Sequence, residues 1–320
     1  MTRKNPLFFI KKCCIVVVIM LKQILILLLS LSAIACQRGG KPAGNDSEAK
    51  KPLVLVSIPP YVKMVEEIAG DTVQILSITD ATSDPHIFEP KPKATEMYKG
   101  AKLWIGVGEP FEKKLLERLK SIDSDIEFVD LTTKIPLLHF NQEIPQKDLC
   151  KDCKHQKDRH IWLSPNSILQ QTPIIATYLA TLQPKEKEIY AKNLYALDLK
   201  IRHLNGTFQK QLAPYHNTAI LVSHPAFGYF CHQYGIIQLA ISSDEQEQVK
   251  PKDLAKVCKY MEEYDVRAIV IEPNHDVKSI RSICNGKDLP YKKINSIAPD
   301  YMKSMQELAD LISGAPDDSP

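Results

Sequence analysis

Three histidines stand in segments stiff enough to hold them for joint work. His86 lies in SDPHIFEP, with Pro85 and Pro90 around it and Asp84 and Glu89 close by. His160 lies in DRHIWLSP, shortly before Pro165, and His224 in VSHPAFGYF is followed at once by Pro225. Imidazole titrates near neutral pH, so it can move a proton, and its ring nitrogens can also ligate a metal. A single loop histidine is ordinarily a solvated or capping residue. Three in proline-braced segments raise the case for a shared site. The other six of the nine histidines are placed differently. His203 falls in a long helical pattern, His232 inside a helix, His139 and His155 in a polar loop, His216 beside Pro214 and His275 in a turn.

The elements that must position the three are those of an α/β fold. From Leu53 onward, short apolar runs alternate with amphipathic ones, the pattern of parallel α/β units. Leu53–Ser57, Val73–Ile78, Leu103–Val107 and Ile126–Asp130 read as strands. Pro60–Ala69, Lys91–Lys99 and Phe111–Lys120 read as the helices between them. The rhythm then changes. Ile189, Leu194, Leu197, Ile201, Leu204, Phe208 and Leu212 recur mostly at spacings of three and four, one face of a long helix with Gly206 as its weak point. Strands return at Thr218–Ser223, Ile236–Ile241, Ala268–Glu272 and Tyr291–Asn295, with helices at Ala226–Tyr234, after Lys250, at Asp276–Cys284 and at the C-terminus. The expected fold class is therefore α/β: two lobes, each with a mostly parallel sheet and flanking helices, joined by one long linking helix.

In such sheets ligand groups gather beyond the carboxyl ends of the strands. His224 follows one strand directly, Glu272 ends another and Asn295 a third, while His86 follows Val73–Ile78 after a short loop. His160 precedes the helix that begins near Pro165.

The ends of the chain carry a different message. Basic residues, an apolar run broken by Lys22, and the box Ala33-Ile34-Ala35-Cys36 fit a secretory signal over residues 1–35, with Cys36 the lipidation candidate. The stretch after Lys22 is too short to span a bilayer comfortably. A segment starting at Met20 would already be a complete signal, so the true start is Met1 or Met20. Residues 36–51 read as a lipid-anchored flexible tether. The expected location is outside the cytoplasm, in the periplasm or at the cell surface. Loss of Arg3, Lys4, Lys11, Lys12 and Lys22 with the signal would turn the formal charge from +3 to −2. No basic, aromatic-interleaved patch remains, which argues against nucleic acid as a partner.

DPHIFEP, RHIWLSPNSI and VSHPAFGYFCHQYGI together resemble, in order and spacing, the three histidine motifs of the zinc- and manganese-specific solute-binding proteins of ABC importers. SIPPYVKMVEEIAGDTVQILSI is similar to the opening of that family, and the likeness runs from about Leu53 to Ile312. It implies a metal held between two lobes by a monomer with a rigid linking helix, for delivery to an ABC transporter permease. The divisions it suggests are a first lobe at 52–184, a linking helix at 185–213, a second lobe at 214–313 and a tail at 314–320. By the same likeness, His86 and His160 are metal ligands of the first lobe and His224 of the second. The family's fourth ligand is often a carboxylate in a DSIA-like motif, where this chain has INSIAPD and so Asn295. An amide is a weaker, uncharged donor, so Asn295 would ligate weakly or through water, with Glu272 as another candidate. Asp84 and Glu89 are expected to hydrogen-bond around the first-lobe histidines.

Three imidazoles and one open or weak oxygen position suit tetrahedral Zn²⁺; Mn²⁺ favours more carboxylate oxygen, and Mn²⁺ or Fe²⁺ stay as alternatives. A zinc hydrolase would also use three histidines and a water, but no HExxH-like pairing is present and the ligands would be split between lobes. A surface adhesin would leave the histidines without a role. Neither enzyme nor adhesin is the expected reading. Of the cysteines outside the signal and Cys36, pairing among Cys150, Cys153, Cys231, Cys258 and Cys284 stays open.

Overall fold

The computed structural model describes residues 51–122, 125–139, 157–241, 251–275 and 289–315. The signal and tether, Cys36, the cysteine-bearing part of the 138–159 loop, the helix expected at Asp276–Cys284 and the end of the tail lie outside the described residues.

Two four-stranded sheets are built alike. The first has β1 (Leu53–Val56), β2 (Gln74–Ser77), β3 (Ala101–Gly106) and β4 (Glu127–Asp130) in the order β2-β1-β3-β4. The second has β5 (Ala219–Val222), β6 (Ile237–Ala240), β7 (Val266–Ile271) and β8 (Tyr291–Lys293) in the order β6-β5-β7-β8. All pairings are parallel, and the register shifts at the start of β1 in one sheet and of β5 in the other. The same wind is thus used twice.

Helices cover both sheets: α1 (Pro60–Ala69), α2 (Pro92–Met97), α3 (Pro110–Ile122) and α4 (Pro165–Leu182) before the long α5 (Lys187–Leu212), and α6 (Gly228–Tyr234), α7 (Pro251–Glu263) and α8 (Tyr301–Ser313) after it. Prolines sit at the first turns of α1, α2 and α4, where a missing N–H costs nothing. Ser164 caps α4 by accepting from the Ser167 N–H. This fixes the end of the segment that carries His160.

The period of two along each central strand sorts its side chains. Val54 and Val56 of β1, and Ile220 and Val222 of β5, enter one continuous apolar core. Leu55 joins a separate cluster with Trp104 and Leu115, and Leu221 another with Tyr260 and Ile269. The continuous core passes through α4, α5 and α8, so the two sheets share it instead of standing as independent bodies. Helix α5 contributes Tyr190, Leu197, Ile201, Phe208 and Leu212 to it. At 1.5 Å per residue it is roughly 40 Å long. It runs unbroken through Gly206, where an added Cβ would meet open space.

Candidate metal centre

His86, His160 and His224 converge. One ring nitrogen from each lies within 4.8 Å of the others. The ring centroids are 5.5 Å apart for His86–His160, 5.4 Å for His86–His224 and 5.0 Å for His160–His224. The ring Nε2 atoms of His160 and His224 are 3.0 Å apart. Among the described residues no other group of histidine, cysteine or acid side chains meets so closely.

Each first-lobe imidazole is turned by a carboxylate. Glu109 Oε2 lies 3.1 Å from His86 Nδ1, and Asp158 Oδ1 lies 2.8 Å from His160 Nδ1. An ionised carboxylate can only accept, so both Nδ1 atoms carry the hydrogen and both Nε2 atoms keep a lone pair. The Glu109 and Asp158 side chains are wholly buried, and Glu109 Oε1 and Asp158 Oδ2 have no hydrogen-bond partner among the described residues. Two buried carboxylates facing imidazoles form an environment that favours a cation between the rings.

The backbone fixes these acids in turn. Glu112, on the first turn of α3, accepts from the N–H groups of Val107 and Gly108, which holds the β3–α3 turn carrying Glu109. Burial is the main reason that the Glu112 carboxyl is pushed up to about 7. Asp158 also accepts from the His160 N–H, while its own carbonyl accepts from the Tyr229 hydroxyl on α6. His224 follows β5 and is buried; burial, then the charges His160 and His86 would carry, hold its imidazole well below its ordinary range. It therefore stays neutral, the form that ligates.

Glu109 and Asp158 were not singled out from the sequence. Glu109 directly precedes Pro110 just beyond β3, so the strand-end rule that selected His224 would have found it. Asp158 stands two residues before His160, a spacing that permits the contact without announcing it. Of the two acids expected to hydrogen-bond around the first-lobe histidines, Asp84 does and Glu89 does not. Asp84 accepts from the His86 backbone N–H and shapes its turn. Glu89 is 85% exposed and sits 3.8 Å from Lys114, because its loop points it outward; it does not support the histidines.

Glu272 and Asn295 line the same cleft, which measures about 120 Å³ and also includes His275. Glu272 stands outside the close cluster of ring nitrogens and accepts from the Ser296 N–H through both oxygens. Burial chiefly pushes its carboxyl up to about 7. Asn295 spends its amide elsewhere: Nδ2 donates to the Ala81 carbonyl and Oδ1 accepts from the Ile297 N–H. Among the described residues, Cys231 is a buried free thiol and Cys258 an exposed one.

Residues 54–315 match the family described as ZnuA, zinc-uptake complex component A, periplasmic. The chain belongs to that family. A protein of Chlamydia muridarum, provisionally named as metal-binding, is 30% identical over 256 residues, 80% of this chain and 88% of that one. The high-affinity zinc uptake system protein ZnuA of Bacillus subtilis is 26% identical over 247 residues, 76% of this chain and 77% of its own. A crystal structure of ZnuA superposes with a TM-score of 0.72 at 26% identity, covering 83% of this chain and 99% of that one. The α/β fold with two parallel sheets and a long joining helix is thus the fold of the zinc-uptake binding components, and the resemblance read from the histidine motifs holds.

For a member of this family, the carboxylates behind the rings become testable parts of the site. Asp158→Asn should lower zinc affinity about 10- to 100-fold, the usual cost of losing such a partner. Isothermal titration beside a thermal melt of the metal-free protein checks it. Wild-type affinity in the variant would show that Asp158 does not orient His160.

Proposed function

We propose that this protein captures Zn²⁺ outside the cytoplasm and delivers it to the permease of an ABC importer, with His86, His160 and His224 as its ligands. The observation that carries the reading is the trio of converging ring nitrogens, two of them aimed inward by buried carboxylates, each of which keeps one oxygen with no hydrogen-bond partner among the described residues. Tetrahedral zinc with Zn–N bonds of about 2.0–2.1 Å needs ring nitrogens roughly 3.3 Å apart. The observed spread, from 3.0 Å up to at most 4.8 Å, requires only a small inward adjustment. Water or Glu272 completes the coordination. Three imidazoles with one remaining oxygen position favour zinc over Mn²⁺ and Fe²⁺, although a manganese-transporter lipoprotein of Streptococcus mitis is 24% identical over 268 residues.

Capture and release fit this site better than hydrolysis. The ligands come from both halves of the fold, and the cleft has room for an ion and a few waters rather than a peptide. The chain acts as a monomer, its two lobes and linking helix divided as the sequence suggests. It is exported by the segment before Cys36 and held at the membrane by lipid on that residue. Cys36→Ser should release the protein from membranes or leave it unprocessed. Residues upstream of Cys36 in the mature protein, seen by mass spectrometry, would disprove the anchor.

The deciding experiment is metal analysis of the soluble part after Cys36, loaded with equal Zn²⁺, Mn²⁺ and Fe²⁺. One zinc per chain is expected. Retention of manganese or iron in place of zinc would overturn the choice of metal, and retention of none would overturn the function.

A further inference from the structure

We infer that Asn295, with Asn274, is a positioning residue that sets how fast zinc leaves, by clasping the His86 loop from across the cleft; this rests on the three-histidine reading above. The loop is shaped by its own acids. Asp80 Oδ1 accepts from the Thr82 N–H, the Thr82 hydroxyl and the Ser83 hydroxyl, and Asp84 Oδ1 accepts from the His86 N–H. So shaped, it offers two backbone carbonyls to the second half of the fold. Asn295 Nδ2 donates to Ala81 O at 2.8 Å, and Asn274 Nδ2 donates to Thr82 O at 3.2 Å.

The orientation of the Asn295 amide follows from its two partners. Ala81 O can only accept and the Ile297 N–H can only donate, so nitrogen must face the first and oxygen the second, at 2.9 Å. The Asn295 backbone is anchored as well, its carbonyl accepting from the Ser304 hydroxyl on α8. An aspartate here could not donate. Its carboxylate would meet the Ala81 carbonyl oxygen and repel it.

The consequence is kinetic. His86 reaches His224 only while its loop stays against the second half, and the two amides bridge that gap beyond the rings. Zinc leaves when His86 swings away, which breaks both bonds. One is exposed and the other part-buried, so each contributes modestly, and their loss acts on departure more than on arrival.

The test is stopped-flow release of Zn²⁺ into excess fluorescent chelator, with metal-free melting temperature and zinc stoichiometry measured alongside. Asn274→Ala should release zinc about 3-fold faster, Asn295→Ala and Asn295→Asp about 10-fold faster, and the Asn274→Ala/Asn295→Ala pair about 30-fold faster. One zinc per chain and an unshifted melting temperature are expected throughout. A merely structural role would lower the melting temperature in step with the rate, and would count against the clasp. Wild-type release from Asn274→Ala, a residue outside the close cluster of ring nitrogens, would overturn it. So would slower release from Asn295→Asp, because that oxygen would then be holding the metal. Failure of the wild-type protein to bind zinc would instead refute the site itself.

Discussion

Replacing His224 with alanine should weaken zinc binding by at least about 1,000-fold. Zinc held by protein side chains binds with an apparent ~10–16 kcal/mol, so losing one of three imidazoles removes several kcal/mol, and about 4 kcal/mol is a factor of 1,000. His224 is the strongest single test because it is the second half's sole imidazole in the close cluster, and without it the remaining pair lies on one side of the cleft. His86→Ala and His160→Ala should have comparable effects. His203→Ala and His232→Ala are the controls, since both residues are exposed on helices. Competition against a chelator of known affinity measures all five. Zinc bound as tightly by His224→Ala as by the unaltered protein would remove the second half from the site.

Acid should release the metal. Each ligand must offer a bare ring nitrogen, so zinc affinity should fall by about 10-fold per pH unit for every site imidazole that is protonated in the metal-free protein. Affinity measured at pH 7.5 and at pH 5.5 should therefore be weaker at the acid end. His224 adds a sign that can be worked out. Its folded pKa lies below the ordinary 6.5, so the fold binds fewer protons there than the unfolded chain. The stability this contributes is present above about pH 6.5 and is lost as pH falls through the lower, folded value. Glu272 acts oppositely: its carboxyl titrates near 7, above the unfolded value of about 4.5, so its contribution is present in acid and lost as pH rises through 7. Glu272→Gln cannot ionise. It should flatten the change in zinc affinity between pH 6 and 8 and leave the steeper fall below. A pH series of zinc competition on both proteins checks this, and an unchanged profile in Glu272→Gln would mean that Glu272 stays remote from the ion.

Much of this was legible before any coordinates. Short apolar runs locate β1 and β5, and a period of three to four locates α5, because a strand buried on both faces is apolar throughout while a helix turns one face inward. The long helix expected at 185–213 is α5 at Lys187–Leu212 with a 3₁₀ turn at either end. Histidines at strand ends were legible for a similar reason, since local chain direction already puts them on the ligand-bearing edge.

What a residue does at that edge depends on which neighbour it meets, and neighbours far apart in sequence are chosen only by folding. Asn295 reads as a ligand position from its place after β8, yet its amide is committed to Ala81, 214 residues away. Glu89 sits beside His86 in the chain and faces solvent, whereas Glu109, 23 residues on, turns the ring. Sequence by itself determined the elements, the three imidazoles and the family, because each of these is written in local pattern. Only the tertiary structure decided which carboxylate stands behind which ring and which amide closes the cleft, because a hydrogen bond needs its two atoms within about 3 Å in a fixed direction, and no one-dimensional spacing supplies that.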